Sequence, residues 1–167
     1  IHLVGAGRAS FSLTHFCDCS VYLINGGDAL ALIDAGCGLD TQAIVSRIRE
    51  DGLSPEDIQS VLLTHAHGDH AGGAAAFQRL SGARVYALEP AATFLREGDM
   101  AAMSLLPARE AGIYPRDYEF PPCDVTSLGE GEAVRVGNFE VRALATPGHA
   151  AGHACFLLEA DGGLNAF

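Results

Sequence analysis

The chain has 167 residues and 49% hydrophobic content, enough for one domain with a core, and no apolar run approaches the ~20 residues of a membrane span. Asp and Glu outnumber Lys and Arg by 21 to 10, a formal net charge of −11. Because an acidic chain repels phosphate backbones, we expect a small-molecule partner and neither nucleic acid nor a membrane.

The first half of the chain predicts strands that alternate with helices. Two apolar runs flank Gly26-Gly27-Asp28, which is typical of a β-hairpin. Further along, apolar residues recur at helical spacing and each such segment ends at a glycine. The predicted elements are strands at 20–26 and 29–36, a helix at 39–52, a buried strand at 58–65, a helix at 71–82 and a strand at 83–88.

The second half predicts helices near 90–97 and 100–111, followed by loop to residue 122. Two alternating strands surround Gly137-Asn138 within 132–149, and a last strand covers 153–163. Hairpins at both ends favour a mixed α/β arrangement of sheets covered by helices over a purely parallel doubly wound sheet. We find no repeat or linker and therefore predict a single domain over 1–167.

The stretch "LLTHAHGDHAGG" (62–73) follows the buried strand and places three histidines and an aspartate within six positions. In an extended segment residues i and i+2 point the same way, so His65 and His67 can aim two imidazoles at one point. Gly68 allows a sharp turn, after which Asp69 and His70 arrive from another direction. Zinc, iron and manganese accept these ligands, in one site or in two neighbouring sites. A polar loop with local hydrogen bonds is the alternative interpretation.

This stretch resembles the His-x-His-x-Asp-His signature of the metallo-β-lactamase superfamily. "VYLINGGDALALIDAG" resembles the early hairpin of that family, and "ATPGHAAGH" resembles its TPGH loop. The resemblance extends over roughly residues 20 to 160. It implies a four-layer αββα sandwich, in which two mixed β-sheets are flanked by helices and the metals lie at one sheet edge.

The resemblance also implies a set of ligands. His65, His67 and His149 would hold the first metal, and Asp69 and His70 would contribute to the second. The cofactor would be one or two Zn²⁺ ions, with Fe²⁺ or Mn²⁺ as alternatives.

In the family, a bridging aspartate and a late histidine complete the second metal site. The bridging aspartate is expected in a "GD" beyond "GGLNAF" (162–167), so we expect the domain to be incomplete at its C-terminal end. Asp161 comes too early for that role and is not assigned.

Four further residues have competing interpretations. Asp34 ends a buried strand, where it could orient a ligand histidine or cap a turn. His153 follows His149 by four residues and is a weaker candidate ligand. Cys17 and Cys19 form a Cys-x-Cys pair beside His15, but small buried thiols are the favoured interpretation.

These ligands predict a metal-dependent hydrolase. Three histidines leave a position for water, and zinc lowers the pKa of bound water to ~7, so that a zinc-bound hydroxide can attack a carbonyl. The expected substrates are esters, thioesters, lactones or amides, with Asp69 as the residue that orients the water or takes its proton.

Several alternatives stay open. Within the same family they are a non-haem iron persulfide dioxygenase and a β-lactamase, and outside it a non-catalytic binding module. The apolar residues of the insertion at 89–122 could cover the metal edge as a lid or form a packed surface helix pair.

Five cysteines, an odd number, argue against a disulfide framework. Reduced thiols predict a cytoplasmic protein.

Overall fold

A computed structural model describes residues 1–160 and 162–167, so the unassigned Asp161 lies outside the described residues. The strands are β1 His2–Gly5, β2 Val21–Asn25, β3 Leu30–Ile33, β4 Ile58–Leu62, β5 Arg84–Leu88, β6 Val125–Leu128, β7 Ala133–Val136, β8 Phe139–Ala145, β9 Ala154–Ala160 and β10 Gly163–Ala166. The helices are α1 Thr41–Glu50, α2 Gly68–Ala71, α3 Ala74–Ser81, α4 Ala91–Glu97 and α5 Leu105–Glu110.

The first sheet has six strands in the order β1-β2-β3-β4-β5-β6 and is mixed. β1, β2 and β3 pair antiparallel, whereas β3, β4, β5 and β6 run parallel. Parallel neighbours bring their carboxyl ends to one edge, and the chain leaves that edge after β4 to enter the histidine-rich loop.

The second sheet has four strands in the order β10-β9-β8-β7, all antiparallel. Gly137 and Asn138 connect β7 to β8, where the sequence predicts a hairpin. This sheet covers one face of the first sheet, and β3 contributes to both faces because its side chains alternate. Leu30 and Leu32 pack toward the helices, whereas Ala31 and Ile33 pack between the two sheets.

Helices α1, α3 and α4 contact the six-stranded sheet, and their apolar residues belong to the core on that face. The predicted α/β architecture with two sheets and flanking helices is confirmed. Within residues 1–160 and 162–167, no helix covers the outer face of the four-stranded sheet, where Leu144 and Leu164 are exposed. None of the described helices has the length and apolar content needed to cross a membrane.

The segment before β6 differs from the prediction. The helix predicted at 100–111 is reduced to α5, because Ser104 has a left-handed backbone (φ 57°) that interrupts helical geometry before Leu105. The short strands β1, β6 and β10 were not predicted.

Candidate metal centre

The loop after β4 carries four of the predicted site residues. β4 ends at Leu62, and α2 begins at Gly68 with His67 at its N-cap position. A Cβ atom on Gly68 would lie 2.8 Å from the Tyr114 hydroxyl oxygen, so a larger residue would not fit at this turn. The glycine therefore lets the loop pass close beneath Tyr114 while it presents histidines on both sides.

Three imidazoles converge at this edge. One ring nitrogen from each of His65, His67 and His149 lies within 4.8 Å of the others. The Nε2 of His65 is 3.1 Å from the Nδ1 of His67, and the ring centroid of His149 is 4.9 Å from that of His65 and 4.8 Å from that of His67. The structure thus brings together the residues predicted for the first metal.

The electrostatics of this trio suit a divalent cation. Burial, with a smaller contribution from the neighbouring imidazoles, lowers the pKa of His65 to about 2. Burial and His149 also lower the pKa of His67. Neutral imidazoles keep a lone pair available, and nitrogens at this spacing match the ligands that zinc and iron accept.

Asp69 and His70 form a second group. The Nε2 of His70 is 3.5 Å from a carboxylate oxygen of Asp69, whose side chain is 47% exposed. Burial opposes the charged form of His70, but the charge and hydrogen bond of Asp34 outweigh it and raise the pKa of His70. These are the two residues predicted to contribute to a second metal, and they adjoin the trio through the ring of His70, 4.1 Å from that of His65.

Asp34 lies directly behind His70. The Nδ1 of His70 donates to the Asp34 carboxylate at 2.7 Å, which leaves Nε2 facing Asp69. Asp34 is buried and has a left-handed backbone (φ 61°), an uncommon conformation that turns its carboxylate back toward the loop. Of the two interpretations of Asp34, this geometry favours the orientation of a ligand histidine.

Thr64 has a role that sequence reasoning missed. Its amide and its hydroxyl both donate to Asp34, at 2.8 Å each. The Nδ1 of His65 is 3.0 Å from the same Thr64 hydroxyl. Because the hydroxyl proton is directed at Asp34, the hydroxyl oxygen accepts a hydrogen bond from the Nδ1 of His65. The lone pair of the His65 ring is therefore on Nε2. The only signal in the sequence is its position between a buried strand and the first histidine.

The loop that carries His149 belongs to the second sheet and is fixed by His153. The Nδ1 of His153 is 2.8 Å from the Thr146 hydroxyl, and the Thr146 amide donates to the His153 carbonyl. The amide of Ala154 donates to the carbonyl of Thr64 at 2.7 Å, which joins the two sheets. His153 is thus outside the converging trio and closes the loop.

Three of the five cysteines, Cys17, Cys19 and Cys37, lie in or beside the N-terminal loop. All five are free thiols. The Sγ of Cys37 is 3.3 Å from the Nδ1 of His15, and the Cys37 amide donates to Asp18. Burial and Asp18 raise the pKa of Cys37, so the thiol stays protonated. The Sγ of Cys19 lies within 4.8 Å of ligand atoms of Asp34 and His70, and the Cys19 amide donates to the Asp69 carbonyl at 3.2 Å. We interpret both groups as packing for the loop.

Two cavities flank Asp69. One, of about 570 Å³, is bordered by His67 and residues of the segment before β6. The other, of about 500 Å³, is bordered by His70 and His153. Phe16 of the N-terminal loop also borders both cavities, so Phe16 and Asp69 lie between them.

Known proteins resemble this chain in sequence and in fold. It is 35% identical over 107 residues to the hydroxyacylglutathione hydrolase of Cereibacter sphaeroides, covering 64% of this chain and 31% of that protein. It is 28% identical over 165 residues to the atrochrysone carboxyl ACP thioesterase of a Cryptosporiopsis species, covering 96% of this chain and 40% of that protein. A metallo-beta-lactamase from Cronobacter sakazakii has a TM-score of 0.76 and 29% identity, covering 89% of this chain and 56% of that one.

The chain therefore spans less than half the length of these curated relatives. The model of the metallo-beta-lactamase superfamily matches residues 15–164. Because that match includes almost all of the sequence and both histidine-bearing loops, the chain belongs to the metallo-beta-lactamase superfamily.

Proposed function

We propose that this protein is a metal-dependent hydrolase of carbonyl compounds, namely esters, thioesters, lactones or amides. The convergence of His65, His67 and His149, with the Asp69 carboxylate beside them, carries the proposal. Zinc is the metal we expect, as one ion or two. Held by the three imidazoles, it would supply Lewis-acid activation of water and of the substrate carbonyl.

The side chains of the protein would do the remaining work. Asp69, exposed at the junction of the two cavities, would orient the attacking water and accept its proton. Asp34 and Thr64 would fix the rings of His70 and His65, so that their Nε2 atoms stay directed at the centre. Burial of His65 would keep this part of the site dry and strengthen its electrostatic interactions.

The relatives support hydrolysis and favour thioesters among the four classes. One is named a hydroxyacylglutathione hydrolase and another an acyl-carrier-protein thioesterase. A β-lactamase activity is the second candidate, favoured by the likeness to the Cronobacter sakazakii enzyme. The acidic charge supports a small-molecule substrate, and the five free thiols support a reducing compartment such as the cytoplasm.

The test is the substitution His67→Ala. We expect it to remove most metal-dependent hydrolysis, because one of three ligands of the first ion is lost, while the circular dichroism spectrum stays unchanged since His67 lies in an edge loop. The assay would use a panel of thioesters, esters, lactones and β-lactams. His2→Ala, which removes an imidazole from β1, is the matched control.

Metal content separates the alternatives. Zinc together with hydrolysis supports the proposal, whereas iron together with oxygen consumption supports a dioxygenase. Full turnover of the panel by His67→Ala at the metal content of the parent protein would refute the assignment of this centre to catalysis.

A further inference from the structure

The cavity on the His67 side of Asp69 has walls from two parts of the chain. One wall is the N-terminal loop, with Ala9 and Phe16. The other is the segment from Met103 to Tyr114, which lies outside both sheets. Because His67 and Asp69 border the same space, a molecule that fills it would be in contact with the candidate metal centre.

The lining of this cavity is mainly apolar. Met103 and Leu105 present buried side chains, whereas Phe16 is 58% exposed and Ile113 is 48% exposed. Arg8 and Asp69 are the charged residues of the lining. Large apolar side chains left exposed around a concave space beside a reactive centre are typical of a site for an apolar ligand.

Tyr114 gives a second indication of a ligand. It is 4% exposed and borders the cavity, and its hydroxyl has no hydrogen-bond partner in the part of the chain that the structure describes. A buried polar group without a partner costs free energy, which a polar atom of a bound molecule would offset. The hydroxyl lies next to Gly68, between the two site residues His67 and Asp69.

The cavity on the other side of Asp69 also has apolar residues, such as Ile33, but carries more polar groups. Asp34, Thr64, His70 and His153 contribute to its lining. A substrate whose carbonyl carbon lies at the histidines could therefore place an apolar part on the His67 side and a polar part on the His70 side.

We propose that the cavity on the His67 side binds an apolar acyl group, so that the preferred substrates are esters or thioesters of medium-length or aromatic carboxylic acids. This inference rests on the hydrolase function proposed above and adds the substrate class. The volume of about 570 Å³ is within the range of ~300–1,000 Å³ that small-molecule sites occupy. Full burial of a methylene would strengthen binding about fourfold, and because the cavity is open to solvent and buries each methylene only in part, we expect roughly 1.5- to 2-fold for each additional methylene.

Two measurements test the proposal, and one of them does not depend on catalysis. The zinc-loaded protein is titrated calorimetrically with acetate, butanoate, hexanoate and octanoate, the acids that hydrolysis would release. In parallel, kcat/KM is measured for the acyl thioesters of the same chain lengths with one constant thiol. We expect both affinity and kcat/KM to rise by roughly 10- to 100-fold from the two-carbon to the eight-carbon acyl group.

Two pairs of variants locate the effect. Ala108→Phe fills the cavity from α5, whereas Ala111→Phe places the same ring on an exposed position just after that helix. Ile113→Ser makes the lining polar, and Leu106→Ser is the matched exposed control. We expect Ala108→Phe and Ile113→Ser to lower affinity and kcat/KM much more for the eight-carbon group than for the two-carbon group, so that the dependence on chain length is reduced. The control variants Ala111→Phe and Leu106→Ser should behave like the parent protein. If Ala108→Phe does not fold, the comparison of Ile113→Ser with Leu106→Ser tests the proposal.

Three outcomes would overturn the inference. They are equal affinity for all four carboxylates, equal effects of Ala108→Phe and Ala111→Phe, and a kcat/KM that does not change with the length of the acyl group. Failure of the hydrolase proposal looks different. In that case no thioester is turned over, but the carboxylates still bind in order of length and lose that order in Ile113→Ser.

Discussion

The conformation of Asp34 shows how single residues prepare the candidate centre. A left-handed backbone at a non-glycine residue costs of the order of 1 kcal/mol or more, and it persists only where the surroundings hold it. Here two donors from Thr64 and one from His70 compensate the buried carboxylate. Asp34, held in this conformation, therefore fixes the ring of His70 through their hydrogen bond, so that little further ordering of the ring would be needed if it bound a metal.

A substitution of Asp69 can separate a role in metal binding from a role in proton transfer. In Asp69→Asn the shape is kept, but the charge and the proton acceptor are lost. We expect kcat to fall on the order of 10²-fold or more, the usual contribution of a general base. The zinc content of the three-histidine site should change much less, because the converging group consists of His65, His67 and His149 and does not include Asp69.

The comparison requires zinc content and kcat measured on the same preparation. Asp117→Asn, in an exposed loop, is the control for the chemistry of the substitution. A parallel loss of rate and zinc would mean that Asp69 supports the first site structurally, and no loss of either would mean that it takes no part.

Helix α4 is attached to the edge of the first sheet by a polar cluster. The guanidinium of Arg96 donates to the carbonyl of Val125 at 2.9 Å and to the carboxylate of Glu89 at 2.7 Å. The hydroxyls of Ser127 and Thr93 also donate to Glu89. The cluster links the end of β5, α4 and β6, and the chain between α4 and β6 includes the segment that forms one wall of the apolar cavity.

Glu89→Gln tests this attachment through its pH dependence. The hydrogen bonds from Ser127 and Arg96 lower the pKa of Glu89 to about 2, so its contribution to stability is full above its ordinary pKa of 4.5 and is lost as the pH falls toward 2. We expect the variant to melt at a lower temperature than the parent at pH 7, and the difference to shrink between about pH 4.5 and pH 2. Glu97→Gln, on the exposed face of α4, should show no such pattern.

Elements with a strong local pattern were predictable from the sequence. The β2–β3 hairpin has a Gly-Gly-Asp turn between apolar runs, and β4 is a buried run that ends just before the histidine-rich loop. Strand β6 was not predictable, because Thr126 and Ser127 are exposed and give no apolar pattern. The strand forms because it pairs with β5. Such pairing joins residues about 40 positions apart and leaves no local periodicity.

Part of the candidate site was predictable from the sequence and part of it was not. The spacing of His65 and His67 and the family motifs predicted which imidazoles meet, and the structure brings them together with His149. The apolar cavity was not predictable, because Phe16 and Ile113 come from distant loops that adjoin only in the folded chain. The insertion at 89–122 could be predicted to be apolar, but its packing depends on tertiary contacts.

At the scale of the whole molecule, the three converging histidines come from both sheets. His65 and His67 follow β4 of the six-stranded sheet, whereas His149 follows β8 of the four-stranded sheet. An ion bound by all three would therefore join the two sheets near the bond between Ala154 and Thr64. Binding that requires the folded arrangement stabilises it by mass action.

We therefore expect zinc at about 100 times its dissociation constant to raise the melting temperature of the metal-free protein by roughly 5–10 °C. In His149→Ala most of that increase should be lost, because the ligand from the second sheet is missing. Differential scanning calorimetry with and without chelator makes the comparison, and His2→Ala controls for the loss of an imidazole. An equal increase in His149→Ala would mean that the ion does not join the sheets.

The walls of the apolar cavity come from the N-terminal loop and from the segment between Met103 and Tyr114, both outside the paired strands. Phe16 and Ile113 are exposed and lie outside the strands, so substitutions of these two residues meet few constraints from core packing or strand register. If the cavity binds the acyl group as proposed, changes at these residues would alter the range of acids accepted while the converging histidines stay in place. New substrate ranges would then arise through loop substitutions that leave the arrangement of the histidines unchanged.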